Sequence, residues 1–448
     1  MHIGNVRTAL FCKLYAIAKK GVFLVRIEDT DQERSKDEFT NALLEDLHWL
    51  GLDWQEGPEV GGPAAPYFQS QRQPIYDQYY HALEASGRAY PCFCSEAELT
   101  LMRKVQVASG TAPRYSGTCR SLSADEIAAK LAAGLKPTLR FRIPEHETIS
   151  FKDLVHGEQN FKSNDIGDFI IRRGDGTSPF MFCNAIDDAL MGVTHVIRGQ
   201  DHLTNTPRQI MILEALGLPI PEYGHISLIT GDDGSPLSKR NGSRSVHELR
   251  EQGYLPLAIN NYLARLGHYY ENPEFMSFDV LAQRFDCTNL SKSPARYDAE
   301  QLLHWQKEAI AHMSDEALLG WLKSSLENVA INDRLLLIQT IRANIIFPVD
   351  AQKWVIQLLG TPERSPELLA ELAKIPQDFL ITAKQAVSVH GTNYPAVCDV
   401  LKAAGFKGKA LFHPLRLILT GADQGPELAG IFRLLGRERL LKRLEHRI

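Results

Sequence analysis

No stretch of this 448-residue chain approaches the roughly 18 consecutive apolar residues that a membrane-spanning helix needs. The start carries no apolar block of the secretory type, so export is not expected and a cytoplasmic address is. Cysteine is scarce and odd in number, seven in all, which excludes a disulfide framework and favours a reducing compartment. A strong charge of one sign is missing too: 49 basic against 54 acidic residues leave a net of −5, which by itself announces no nucleic-acid partner. There is no fixed-period repeat and no low-complexity tract, which removes solenoids and disordered tails from consideration.

What remains is the composition of an ordinary globular protein, 44% hydrophobic and 23% charged. At about 150 residues per domain the length predicts roughly three domains. Charge is uneven along the chain. From Lys407 onward nine basic residues (Lys407, Lys409, Arg416, Arg433, Arg437, Arg439, Lys442, Arg443, Arg447) face four acidic ones (Asp423, Glu427, Glu438, Glu445). Such a basic end fits a phosphate-rich partner, and fits a solvated helix pair equally well.

Periodicity divides the chain. Val6, Leu10, Leu14 and Ala18 recur at helical spacing before a stop at Lys19-Lys20-Gly21. "VFLVRI" reads as a fully buried strand that leaves through the acidic "EDTD". Ser35 and Glu38 form a capping-box pattern for a helix carrying Leu43, Leu44, Leu47 and Leu50. This order predicts a parallel α/β unit with ligands at the carboxyl ends of its strands. From about Tyr90 to Phe182 short extended pieces such as "TLRFRI" and "DFIIRR" interrupt the rhythm, as an insertion would. "VTHVIRGQDH" resumes a strand and "PRQIMILEALG" a helix. Beyond about Ser245 strand signals nearly vanish, while "LAINNYLARLG" and "ELAGIFRLLGRERLLKRL" carry helical patterns to the end.

Five motifs bear chemistry. In "HIGN" a glycine at a helix start lets a ligand approach the backbone, and the helix amides and the His2 imidazole can donate to phosphate oxygens. "GDDGSPLSKRNGS" is a Gly- and Ser-rich loop with Lys239 and Arg240 at its tip, able to close over a triphosphate. "RIEDTD" places Glu28, Asp29 and Asp31 at a strand's carboxyl end, where one carboxylate can hold a substrate ammonium. "VIRGQDH" ends in Arg198, whose planar fork suits a carboxylate. Cys92, Cys94 and Cys119 offer three thiolates within one insertion, one ligand short of a usual structural zinc site, with Tyr115 an unusual fourth. Each motif alone also has an ordinary structural use, as a helix cap, a surface loop, an ion pair or an unrelated thiol.

Their order is far more specific. "HIGN", "RIEDTDQERS", "CFC…YSGTC", "VIRGQDHLTNTPRQ", "PLSKRNGS", "GYLPLAINNYLARLG" and "LSKSPARYD" together resemble the bacterial glutamyl-tRNA synthetases of class I, over nearly the whole chain and most loosely in its last 150 residues. The resemblance implies an α/β fold with a Rossmann-type parallel sheet, an inserted α+β subdomain and an all-α C-terminal region. It divides the chain into a Rossmann catalytic domain in two parts (1–89 and 183–240), an acceptor-end-binding insertion with a zinc site (90–182), a helical stem-contact domain (241–310) and a helical anticodon-binding domain (311–448).

It also implies an ATP- and Mg²⁺-dependent joining of L-glutamate to tRNA(Glu) through a glutamyl-adenylate by a monomer, with tRNA(Gln) left open as a second acceptor. Position by position, His2, Gly4, Ser238, Lys239 and Arg240 would hold ATP, with His2 and Lys239 acting in the transfer. Glu28 would take the glutamate ammonium and Arg198 its side-chain carboxylate, with Asn184 and Phe180 lining the substrate. Cys92, Cys94, Cys119 and Tyr115 resemble a zinc form in which tyrosine replaces the usual histidine. Three positions depart from the family's pattern: Pro236 for a lysine, Phe180 for a tyrosine, Gln200 for an acid. Relatives also place a strand and an Arg-x-Ala-Pro-Ser-Pro-Thr-Gly segment before the histidine turn, so some ten further residues are expected upstream of Met1. Two related readings stay open here: a non-catalytic tRNA-binding relative, and the glutamyl-queuosine tRNA-modifying relative, which ends before an anticodon domain. A glutaminyl-tRNA synthetase is disfavoured by Arg198 and by the cysteine insertion.

Overall fold

The computed structural model describes residues 1–30, 37–238, 244–361 and 365–446. The chain divides into two units, one of residues 1–247 and 260–297, the other of 248–259 and 298–448.

The first unit opens with α1, Ile3–Ala18, whose Ile3, Val6, Leu10, Phe11 and Leu14 are buried on one face, as the spacing predicts. It ends where Lys20 takes a left-handed φ of 54°. A parallel pair follows later in the chain, β6 (His195–Gly199) with β7 (Glu222–Ile226), joined by the crossover helix Thr206–Leu216. This is the β-helix-β unit that "VTHVIRGQDH" and "PRQIMILEALG" predict.

"VFLVRI" differs from its expected form. Leu24 bridges Glu56 and Ile27 bridges Phe68, both in parallel sense. The two partners lie in separate segments, so no continuous ladder forms. Only Phe23 and Ile27 are buried, and Val22 is 61% exposed. The run is extended and half-buried rather than a fully buried strand.

Of the capping box at the next helix, Ser35 lies outside the described residues; the helix itself runs Asp37–Trp49 and buries Leu44 and Leu47, with Leu50 buried just beyond it. Two complete capping boxes occur instead in the insertion, at Ser95 with Glu98 and at Ser123 with Glu126.

The insertion holds five strands: β1 (Ala89–Cys92), β2 (Thr138–Phe141), β3 (Thr148–Asp153), β4 (Gly157–Lys162) and β5 (Phe169–Arg172). β1, β2 and β5 form an antiparallel sheet in that order, and β3 and β4 an antiparallel hairpin. The Leu154 N–H donates to the Tyr223 carbonyl at 2.8 Å, tying the end of β3 to β7. A short parallel pair, β8 (Ile229–Thr230) with β9 (Ala295–Arg296), completes the unit.

A buried carboxylate anchors the first unit. Asp187 is wholly buried on the helix Phe180–Leu190 and accepts from Arg72 Nε (2.6 Å), Tyr76 Oη (2.6 Å) and Gln69 Nε2 (3.1 Å). Arg72, itself buried, also donates to the carbonyls of Ala64 and Pro66, both at 3.0 Å.

The second unit is helical, as the loss of strand signals after Ser245 predicts. Its last helix, Leu428–His446, is interrupted at Gly436, whose φ of 69° and ψ of 166° break one run into two. Arg443, buried, donates to the carbonyls of Gln357 (2.8 Å), Leu358 (2.8 Å) and Gly360 (3.3 Å), and to that of Leu419. It thereby satisfies the exposed ends of two helices, Pro348–Leu359 and Lys409–Thr420.

Asp187→Ala leaves Arg72 buried without its carboxylate, and removing one partner of such a pair costs about 3–5 kcal/mol. A urea unfolding curve of the variant is expected to show a loss of that order, and one superimposable on wild type rules the anchor out.

Candidate active site

Two clefts of the first unit share Cys12: the first opens at the carboxyl end of β6, and the second runs along the amino-terminal part of β6, from His195 to Ile197. The first, of about 630 Å³, is lined by His2 and Gly4 from the start of α1, by Arg198 from β6, and by Ser238. The second, of about 750 Å³, is lined by Glu28 and Asn184, with Arg26 and Asp188. The structure thus brings six of the expected substrate residues to two neighbouring clefts. Lys239 and Arg240 lie outside the described residues.

His2 is the N-cap residue of α1 in an extended conformation (φ −84°, ψ 150°), and its side chain makes no capping hydrogen bond. The exposed imidazole is therefore not taken up by the helix. Gly4 sits in the first turn, where helix amides lack intrahelical partners and the dipole favours an anion. A Cβ built on Gly4 meets nothing within 4 Å, so no contact inside the chain demands glycine there. That open space is what close approach of a ligand to the backbone requires.

The acidic run "EDTD" separates by role. Asp29 accepts from Ser70 N–H (2.8 Å) and Ser70 Oγ (2.6 Å) and so caps a turn. Asp31 lies outside the described residues. Of the two described acids of the run, Glu28 lines the cleft: partial burial raises its carboxyl pKa, against the Arg26 charge and a hydrogen bond from Asn184. Asn184 is held in turn by Gln69 Nε2, 2.7 Å from Asn184 Oδ1. Arg26 Nη1 pairs with Asp188 at 2.9 Å.

Arg198 is half-buried, and burial lowers its pKa. Nε donates to His225, and Nη2 to Thr206 and Gln209. Phe180 lies with its ring centroid 5.0 Å from that of His202, and His202 lines the first cleft.

Motif reading misses Arg7 and His202 on the first cleft and Arg26 on the second. Arg7 is buried in mid-helix, where it donates to the carbonyls of Leu266 (2.9 Å) and Ser227, and burial lowers its pKa to about 10. A charged residue on the apolar face of α1 is the available signal. His202 and Arg26 stand inside quoted motifs, but spacing along the chain does not say which members of a motif face one cleft.

The cysteines converge as well. The sulfurs of Cys92, Cys94 and Cys119 lie within 4.8 Å of one another. Tyr115 Oη is 3.4 Å from Cys92 Sγ and 3.5 Å from Cys94 Sγ. Gly117, with φ +82°, permits the turn between Tyr115 and Cys119. Asp168 pins the loop to the sheet by accepting from Arg120 Nη1 (2.6 and 2.7 Å) and Tyr90 Oη (2.6 Å). Burial would raise the Cys92 thiol, but hydrogen bonds from Tyr115, Arg140 and Cys94 outweigh it and bring the pKa down to about 7. Three soft sulfurs and one phenol oxygen form a donor set able to hold a thiophilic divalent metal.

Known proteins match this chain throughout. Residues 1–304 match the family described as tRNA synthetases class I (E and Q), catalytic domain, and residues 360–448 match the anticodon binding domain. Glutamate–tRNA ligase 1 of Coxiella burnetii (strain CbuG_Q212) is 53% identical over 448 residues, 99% of this chain and 96% of the relative. Glutamate–tRNA ligase 2 of Nitrosococcus oceani is 53% identical over 454 residues, 100% of this chain and 95% of the relative. A crystal structure of a glutamate tRNA ligase from Elizabethkingia meningosepticum, in complex with its amino acid, superposes with a TM-score of 0.88 at 30% identity, covering 100% of this chain and 96% of that one.

Gly4→Ala is expected to keep or raise thermal stability, because the new methyl meets open space and alanine gains up to about 1 kcal/mol over glycine in a helix. A lowered melting temperature would show a steric demand inside the chain.

Proposed function

The chain belongs to the class I tRNA synthetases of the E and Q type, and on that premise we propose that it is a glutamate–tRNA ligase, which activates L-glutamate with ATP and Mg²⁺ and transfers it to the 3′ end of tRNA(Glu). The observation that carries the proposal is the meeting of His2, Gly4, Arg198 and Ser238 on one cleft beside Glu28 and Asn184 on the next. Glutamate presents an ammonium and two carboxylates; of the three arginines that line these clefts Arg7 is spent on backbone carbonyls and Arg26 on Asp188, which leaves Arg198 for a carboxylate, and Glu28 is the acid beside Asn184. Glu28 takes the ammonium, with Asn184 beside it. Arg198 takes the side-chain carboxylate, which discriminates against glutamine, whose amide would set N–H donors against a guanidinium. Phe180 closes the substrate's surroundings with its ring.

The start of α1 receives the phosphates of ATP. The open flank of Gly4 lets an anion reach the first-turn amides, and His2 donates from the side. Ser238 lines this cleft from the segment that follows β8, and the proposal gives Lys239 and Arg240, the next two residues in the chain, a part in holding the same phosphates. In this reading Lys239 neutralises charge that develops at the α-phosphate as glutamate's carboxylate displaces pyrophosphate, and the adenylate then passes its acyl group to a ribose hydroxyl of the tRNA. The insertion 90–182 binds the acceptor end, 241–310 the stem and 311–448 the anticodon arm. The anticodon-domain match over 360–448 sets aside the queuosine-modifying reading, which lacks such a domain. No described helix is long and apolar enough to cross a membrane. The cytoplasmic address and the monomeric state in this proposal come from the family resemblance.

The test is ATP-dependent attachment of labelled glutamate, and of glutamine, to purified tRNA(Glu) and tRNA(Gln), run on the 448-residue chain and on an upstream-extended form. Glutamylation of tRNA(Glu) without glutaminylation is expected. Arg198→Ala should lower kcat/KM for glutamate by roughly one to two orders of magnitude, since each hydrogen bond to a charged group contributes about 1.5–3 kcal/mol. Folded protein that charges neither tRNA in either form would leave a tRNA-binding role without catalysis.

The metal of the cysteine cluster is zinc in this proposal, held by Cys92, Cys94, Cys119 and Tyr115. It stabilises the fold of the insertion and takes no part in the chemistry. Metal analysis of the purified protein is expected to find about one zinc per chain, falling well below that in Cys119→Ser; a wild-type content near zero refutes the assignment.

A further inference from the structure

Arg198 reaches the first cleft from β6, and its guanidinium is held by Thr206 and Gln209 of its own motif and by His225, which no sequence motif contains. Nε donates to His225 Nε2 (3.3 Å), and Nη2 donates to Thr206 Oγ1 (2.8 Å) and Gln209 Oε1 (2.7 Å). The third nitrogen, Nη1, has no hydrogen-bond partner among the described residues.

His225 is the direct cross-strand neighbour of Arg198 in the parallel β6–β7 pair, and it is wholly buried. Its Nδ1 lies 2.5 Å from Asp153 Oδ2. Asp153 is the last residue of β3, buried, and its carboxylate accepts from three further backbone donors: Val155 N–H and His156 N–H at 2.8 Å each, and His225 N–H at 3.1 Å. A carboxylate with so many donors stays ionised in spite of burial.

The proton positions follow from the donors. An ionised Asp153 can only accept, so Nδ1 of His225 carries the hydrogen. An arginine can only donate, so Nε2 must offer its lone pair to Arg198. The Thr206 hydroxyl, 2.9 Å from Nε2, donates to the same lone pair while accepting from Arg198 Nη2. A doubly protonated imidazole would set two cations against each other in a buried place. One tautomer, neutral with hydrogen on Nδ1, satisfies every partner.

We propose that Asp153 and His225 are positioning residues for amino-acid recognition: Asp153 fixes the tautomer of His225, and His225 fixes the rotation of the Arg198 fork so that Nη1 faces the substrate's side-chain carboxylate. The inference rests on the reading of Arg198 as the carboxylate-binding residue. Two nitrogens of the guanidinium are held by the protein, so the rotamer is set before substrate arrives and ordering it on binding costs little. Asp153 comes from the inserted segment, whereas Arg198 and His225 come from the parallel pair. Glutamate recognition therefore depends on how the β3–β4 hairpin seats against β7.

Two substitutions separate positioning from folding. His225→Asn keeps a donor toward Asp153 but removes the acceptor facing Arg198, whereas His225→Gln sets an amide oxygen near the place of Nε2. In tRNA(Glu) glutamylation, His225→Asn is expected to raise the KM for glutamate about tenfold, the effect of one hydrogen bond to a charged group, with kcat and the KM for ATP near wild type. His225→Gln is expected to recover most of that loss. A glutamate KM unchanged in His225→Asn, or equally raised in both variants, overturns the positioning role. Arg198→Lys is the control for the underlying reading: if it leaves the glutamate KM unchanged, Arg198 does not bind the carboxylate and that reading fails instead. Should either His225 variant not fold, the imidazole ¹⁵N shifts of wild-type protein decide the matter. Hydrogen on Nδ1 is expected, and hydrogen on Nε2 overturns the proposal.

Discussion

A single buried carboxylate holds the catalytic half in register. Asp187 has no access to water, so its charge is tolerable only because Arg72, Tyr76 and Gln69 all donate to it. Those three come from the turn at 69–71, from Arg72 that joins it to the next helix, and from that helix, Gln73–Ala85, while Asp187 comes from the helix Phe180–Leu190. The pieces on either side of the insertion are thus joined by a bond network as well as by the apolar packing of Tyr76, Tyr80 and Phe182. Gln69 then passes the order onward, since the same amide that reaches Asp187 also fixes Asn184 beside Glu28. Asp188, one residue on, pairs with Arg26, and both line the same cleft. One glutamine thus ties a buried structural acid to a cleft-lining amide three residues away on the same helix.

A similar division recurs wherever charge is concentrated. In the run from Lys407, Arg443 closes helix ends, Arg439 binds Asp333 with both Nη atoms at 3.0 and 2.9 Å, and Arg416 donates to the Pro426 carbonyl at 2.7 Å. Lys407, Lys409, Arg433, Arg437 and Lys442 are exposed. Among the described residues of the run these five are the basic groups exposed to a phosphate-rich partner, fewer than the charges counted along the sequence. The acidic run at 28–31 behaves alike: Asp29 caps a turn while Glu28 faces the cleft.

Much of this is legible in the sequence, for reasons that differ by residue. Helical period survives in one dimension, so α1 and the helix Thr206–Leu216 are readable from Val6, Leu10 and Leu14 and from "PRQIMILEALG". Turn chemistry is local too, and the cysteine cluster is readable because a short insertion leaves three thiols few places to go. "VFLVRI" reads as a fully buried strand and is not one, because burial depends on what lies beside a segment, and its neighbours come from two separate stretches around Glu56 and Phe68. Asp153 and His225 carry no signal at all. They are 72 residues apart, and an acid and a histidine at that distance look like any others until a hairpin brings them to 2.5 Å.

The sequence by itself determined the kinds of element, the class of chemistry and the roster of candidate groups, because propensity, period and motif order are written in neighbouring residues. Only the tertiary structure decided which charges face a cleft and which are used up inside the fold. That choice turns on desolvation and on hydrogen bonds between residues distant in the chain, as the different fates of Glu28 and Asp29, or of Lys442 and Arg443, make plain.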